Sequence, residues 1–218
     1  MLDLADKSYF INEDKWRYKV QYVHPGDSLN YTPDGTTYVM AQDCDFHSPR
    51  TNLSLVSGAI QTTKPFELFC GATGSAVVID YYGLNQHEDR IYIPNNHSQG
   101  SLSYMDGGTN TTAIEPSRVG EPVINYVHFP AQMFQTLHTH PSQRIGLIVR
   151  GNGSIVLKDD EIFKLKEGHA FFMERNELHN FVCDDEDVVL FVWAPDSGTG
   201  ATDEYNALKV RTYVKGQT

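Results

Sequence analysis

The chain has 218 residues, of which 40% are hydrophobic, 11% aromatic and 21% charged, so it can bury a core and is not composed like a disordered chain. Its 17 Lys and Arg stand against 28 Asp and Glu, a formal charge of -11, and a phosphate backbone would be repelled over most of such a surface. Nucleic acid is therefore not an expected partner; a membrane is not one either, because no stretch approaches the roughly 20 apolar residues of a spanning helix.

Glycines (17) and prolines (10) cut the chain into short runs rich in Val, Ile, Tyr and Phe, the pattern of an all-β protein. In the first half, strands are expected at 38–42, 52–56, 67–70, 76–82 and 90–93. Residues 95–118, rich in Ser, Gly, Asn and Thr, read as a connector or an ordered arm. In the second half, seven strands follow closely, at 122–129, 133–140, 145–149, 153–158, 170–173, 179–183 and 188–193, as in a sandwich or small barrel. Phe191 and Trp193 are expected to close that barrel, with Phe171 and Met173 lining it. The last apolar segment, 207–214, is expected to be a strand that pairs across a homodimer.

This divides the chain into a β-rich region, 1–118, and a barrel, 119–218. Gly74-Ser-Ala-Val-Val-Ile79 resembles Gly153-Ser-Ile-Val-Leu-Lys158, which would fit two duplicated barrels. On that alignment His138 and His140 fall opposite Ala59 and Gln61, and the first barrel carries no metal site. The opening Met-Leu-Asp-Leu-Ala-Asp-Lys lacks a basic-then-apolar leader, and a cytoplasmic protein is expected. Cys44, Cys70 and Cys183 have neither disulfide-framework nor zinc-knot spacing and read as buried small side chains.

Five of the nine histidines, His128, His138, His140, His169 and His179, fall within 128–179. His24, His47, His87 and His97 are scattered, and His169 in its turn is expected in solvent. On a strand, side chains alternate in direction, so His138 and His140 would point the same way and could share one ion. His179, opening a later strand, is the candidate third ligand. Phe134 and Thr136 would point inward with the histidines. Arg144, Gly146 and Ile148 would do so on the next strand, with Gly146 leaving room for a ligand or relieving crowding. Tyr126 and His128 share one parity, so both face the pocket as acid/base groups or neither does.

The stretches His138-Thr-His-Pro-Ser-Gln-Arg-Ile-Gly-Leu-Ile-Val-Arg-Gly151 and Lys166-Glu-Gly-His-Ala-Phe-Phe-Met-Glu-Arg-Asn-Glu-Leu-His179 resemble the paired motifs of the cupin superfamily. The resemblance covers residues 120–195. It implies a cupin-type β-barrel, a jelly roll or double-stranded β-helix, with the first half either a degenerate second barrel, making a bicupin, or an extension. It also implies metal ligands at His138, His140 and His179.

Arg144 stands where the family usually has a Glu ligand, and a guanidinium does not ligate a cation. Three readings follow. Three imidazoles hold ferrous iron in a dioxygenase, with Arg144 binding a substrate carboxylate. Alternatively, they hold nickel, zinc or manganese as a Lewis acid in a lyase, isomerase or hydrolase. In the third, the barrel binds a sugar or organic acid without turnover, or is metal-free and uses one histidine as a base. All three imply a small-molecule ligand.

Overall fold

The computed structural model describes residues 1–4, 8–13, 15–84, 86, 88–95 and 99–210; His87 and His97 lie outside them. Among the described residues the protein is nearly all β. The first half contains β1 (Leu2–Asp3), β2 (Tyr9–Asn12), β3 (Arg17–Val23), β4 (Ser28–Tyr31), β5 (Thr36–Ser48), β6 (Thr51–Thr62), β7 (Phe66–Tyr81) and β8 (Arg90–Tyr92). Then come β9 (Leu102–Ser103), β10 (Thr109–Ile114), β11 (Val123–Phe129), β12 (Arg144–Arg150), β13 (Gly153–Leu157), β14 (Ile162–Leu165), β15 (Ala170–Met173), β16 (His179–Cys183) and β17 (Val188–Ala194). The expected final strand is instead one helical turn, α1 (Ala207–Val210), and the rest of that segment lies outside the described residues. No described helix is long and apolar enough to cross a membrane.

One sheet runs β1-β15-β12-β17-β11-β10-β9 and faces a three-stranded sheet, β14-β13-β16. Their inner side chains, among them Ile148, Ile155, Phe171, Phe181 and Leu190, form one core. The sheet of the second half thus draws strands from before residue 119: β1 from the start of the chain, and β9 and β10 from the polar 95–118 segment. The outer face of the same sheet packs Tyr126, Phe191 and Trp193 against Tyr18, Tyr38, Val77 and Ile79 of the first half. Strands β11, β12, β15 and β17 of this sheet are consequently buried on both faces.

The long strands of the first half bend over a third core containing Val39, Phe46, Leu68 and Val78. Their patterning records the bend. Residues 36–42 of β5 are buried on both faces, and beyond a bulge at Asp43, held at φ 49°, exposed and buried positions alternate.

Strand pairing in the first half repeats that of the second. β3 pairs with the end of β7 as β11 pairs with β17, and the starts of β5 and end of β6 pair as β12 and β15 do. Likewise the end of β5 meets the starts of β6 and β7 as β13 meets β14 and β16. Gly74 lies on β7 where β17 would correspond, whereas Gly153 opens β13, so the Gly-Ser echo joins non-equivalent strands. By pairing, the counterpart of the His138–His179 bridge is the Tyr31–Phe66 pair of β4 and β7, not Ala59.

Candidate metal centre

His138, His140 and His179 converge, with candidate ligand atoms all within 4.8 Å of one another. Their positioning differs from the expected strand. Residues 133–140 make only isolated bridges, Phe134 to Val182 and His138 to His179, because this rim segment has β16 on one side and a loop on the other. The loop contributes Asp106, whose carboxylate accepts from the Thr136 N–H (2.6 Å) and Oγ1 (3.0 Å). Thr136 and Phe134 face outward, with Phe134 72% exposed, a correction to the inward placement read from alternation.

The ring orientations are fixed by backbone. His138 Nδ1 lies 2.9 Å from the Thr136 carbonyl and His179 Nδ1 lies 2.8 Å from the Glu177 carbonyl. Each carbonyl selects the Nδ1–H tautomer, which leaves Nε2 with its lone pair free. His179 Nε2 is buried without a hydrogen-bond partner. Burial, and then the Arg144 charge, pull the His140 pKa down to about 3; burial, partly opposed by the Glu177 carbonyl, pulls that of His179 down to about 4. These two imidazoles are neutral at ordinary pH, the protonation state a metal requires. An inward-facing orphan nitrogen among neutral imidazoles fits a divalent cation.

The histidines sit in a cavity of about 310 Å³ whose walls are otherwise Val127, Phe129, Phe171, Met173, Phe181, Leu190 and Val192, with Tyr104, Asn110, Asn125, Gln135 and Arg144 as its other polar groups. Arg144 Nη1 donates to Ser142 Oγ (2.7 Å) and to the carbonyls of Ser142 (3.1 Å) and Gln143 (2.9 Å). Ser142 Oγ in turn donates to Asp196 (2.6 Å). Among the described residues the other guanidinium nitrogens make no hydrogen bond. Gln135 is anchored from both ends: its Oε1 accepts from Phe181 N–H (3.2 Å) and its own N–H donates to Phe181 O (2.9 Å).

Residues 125–195 match the family model described as Cupin domain. This part of the chain is a cupin domain. The likeness in fold extends further. A Cupin 2 conserved barrel domain protein from Leptotrichia buccalis superposes with TM-score 0.56 at 12% identity, covering 87% of this chain and 88% of that one. An IolB-like protein from Salmonella typhimurium gives 0.58 at 9%, covering 85% of each chain. Salicylate 1,2-dioxygenase from Pseudaminobacter salicylatoxidans gives 0.54 at 9%, covering 83% of this chain and 71% of its own. No curated protein matches the sequence.

Within the cupin domain the parity of β11 is resolved against Tyr126 and His128. Asn125, Val127 and Phe129 face the cavity; Tyr126 joins the core between the halves, and His128 Nε2 pairs with Asp187 at 3.0 Å. Phe191 and Trp193 likewise face the first half, leaving Leu190 and Val192 on the cavity. A Cβ on Gly146 would lie 2.2 Å from Phe171 Cζ, so its missing side chain makes room for a ring and not for a ligand. His169 is half-buried with Nδ1 unpartnered, not in solvent.

Sequence reasoning missed Asn110, Asn125, Gln135 and Tyr104. Asn125 alone had a usable signal, its alternation with Val127 and Phe129.

Proposed function

We propose that the protein is a metal-dependent enzyme acting on a small organic acid, most simply a dioxygenase whose ferrous ion is held by His138, His140 and His179. The observation that carries this reading is the convergence of three imidazoles, two of them held neutral, with a partly unengaged guanidinium in one mainly apolar cavity. When bound, an iron ion with only three protein ligands would supply open coordination positions for substrate and dioxygen.

The chain's own residues do the rest. Arg144 is pre-oriented by Ser142 and Gln143, so its remaining N–H groups can bind a carboxylate without a large ordering cost. Gln135, with its oxygen tied to Phe181, offers its amide N–H groups to the cavity. Phe171, Met173, Phe181 and Leu190 exclude water, which strengthens each polar contact made inside. The likeness to salicylate 1,2-dioxygenase, whose name places oxygen chemistry and a hydroxy-aromatic acid on this fold, supports the reading; the fold by itself does not fix the reaction.

The test is anaerobic reconstitution with iron, nickel, zinc or manganese, followed by metal analysis and oxygen uptake against a panel of hydroxy-aromatic and aliphatic acids. One ion per chain, lost in His179→Ala, with iron-dependent oxygen uptake on an acid is the expected result. Stoichiometric zinc or nickel without oxygen uptake would replace oxygenation by redox-neutral chemistry, and no stoichiometric metal at all would remove the enzyme reading.

A further inference from the structure

We infer that Cys44 and Cys70 form an oxidisable pair that closes to a cross-strand disulfide inside the first half of the chain. The two residues are direct partners across the β5–β7 ladder. Opposed residues in an antiparallel pair have Cα atoms about 4.5–5.5 Å apart, inside the roughly 4.4–6.8 Å range that a disulfide spans. Their Sγ atoms lie 2.7 Å apart, so bond formation needs no strand movement.

The backbone around the pair is held in place. Asp43 forms the bulge preceding Cys44, and its Oδ2 accepts from Thr73 Oγ1 at 3.0 Å. Cys70 N–H donates to the Asp27 carbonyl at 2.9 Å. Gly71 and Gly74 fit against Asp43 so closely that a Cβ on either would collide with it. Both thiols are buried, Cys44 3% and Cys70 7% exposed, and a surface depression lined by Asp43, Ser54, Leu55, Phe69 and Gly71 reaches Cys44. Cys183 belongs to the separate core of the cupin domain and cannot compete for either partner.

With hydrogen peroxide as oxidant, the two S–H bonds break, one S–S bond forms, and the two protons and two electrons released convert the peroxide O–O bond into two waters. The proton shared with Cys70, together with burial, holds the Cys44 thiol well above the ordinary range. A protonated thiol reacts slowly with any oxidant and burial keeps bulky reagents out, so prolonged exposure to a small oxidant is the suitable probe. The bridge would close a loop between positions 26 apart in sequence, which restricts the unfolded chain and raises the unfolding midpoint.

The full chain, reduced and then exposed to peroxide, is quenched with iodoacetamide in denaturant and mapped by peptide mass spectrometry without reductant. The expected result is one cross-linked peptide joining Cys44 to Cys70, reversed by dithiothreitol, with Cys183 alkylated and the thermal midpoint raised. Cys183→Ser should behave as wild type, and Cys44→Ser and Cys70→Ser should give no cross-link. If the serine variants fail to fold, wild type and Cys183→Ser decide alone. Alkylation of all three cysteines, addition of oxygen to Cys44 or Cys70 in place of a cross-link, or a bridge involving Cys183 would overturn the inference.

Discussion

His138 and His179 exchange both backbone hydrogen bonds, N–H to O at 3.0 Å in each direction, and this single bridge sets their rings 4.4 Å apart. The corresponding bridge of the first half pairs Tyr31 with Phe66, whose rings lie 5.6 Å apart, tilted by 33°. One backbone arrangement thus presents two imidazoles in one half, and a phenol and a phenyl ring in the other. Among the described residues the histidine group is the one cluster of metal-ligating side chains.

Because the backbone already orients His179, its imidazole can be removed without dismantling the bridge. His179→Ala should bind the reconstituting metal at least about 100-fold more weakly, a larger effect than losing an outer-shell partner, while far-UV circular dichroism stays unchanged. Metal titration followed by calorimetry measures both the affinity and the stoichiometry.

Acidity should weaken the metal-free fold. In the unfolded chain His140 and His179 take up protons near pH 6.5, whereas in the fold burial keeps them neutral until about pH 3 and 4 respectively. The unfolded state therefore binds more protons across that window. Stability from these groups is complete above pH 6.5 and declines as pH falls toward 4. Urea midpoints at pH 7.5, 6 and 5 should fall in that order, and the slope should be shallower in the double variant His140→Ala/His179→Ala. An equal slope would assign the acid sensitivity to other groups.

Arg144 can be separated into its charge and its shape. Arg144→Gln should weaken binding of a carboxylate ligand by about 1.5–3 kcal/mol, roughly 10- to 150-fold, the range for a hydrogen bond to a charged group. Arg144→Lys should recover only part of this, because an ammonium cannot reproduce the planar fork held by Ser142 and Gln143. Isothermal titration with small aromatic and aliphatic acids distinguishes the two variants; unchanged affinity in both would remove Arg144 from the ligand site.

The three histidines were legible because motif and spacing survive whatever the backbone does between them; the rim segment is not a strand, yet it delivers His138 and His140 to the same place. Facing direction was not legible on β11 and β17. Their sheet has a core on each side, so Tyr126 and Val127, or Phe191 and Val192, look equally buried in sequence. Asn110 and Tyr104 were hidden for the opposite reason. They belong to a segment whose polar composition reads as a connector, although β9 and β10 add to the edge of the sheet and carry polar side chains to the cavity. The bent strands of the first half concealed the repeated pairing, since β5 and β7 each run through what are separate strands in the cupin domain.

Gly146→Ala tests how tightly the cavity wall is packed. The added methyl would meet Phe171 Cζ at 2.2 Å and Cε1 at 2.3 Å, so the ring must turn toward the cavity. Overpacking of this kind costs about 1–3 kcal/mol. The displaced ring should also reduce ligand affinity while leaving metal stoichiometry intact, because none of the three histidines contacts Gly146. Paired denaturation and ligand titrations check this; unaltered stability with unaltered affinity would mean that Phe171 has free space elsewhere.

Trp193 tests whether the two halves fold together. It is fully buried between them and meets Tyr18 edge-on at 4.8 Å, with Tyr38 and Tyr81 at 6.1 and 6.2 Å. Truncation to Ala should cost about 3–5 kcal/mol, the range for a buried aromatic residue. Since the lost contacts belong to both halves, the loss should shift one common transition and not split it, and tryptophan-independent probes should report the same midpoint. The cavity is lined from the opposite face of β17, by Leu190 and Val192, so the folded fraction of Trp193→Ala should keep its metal affinity. Two separated transitions in the wild type would show instead that each half is stable without the other, with Trp193 serving only their contact.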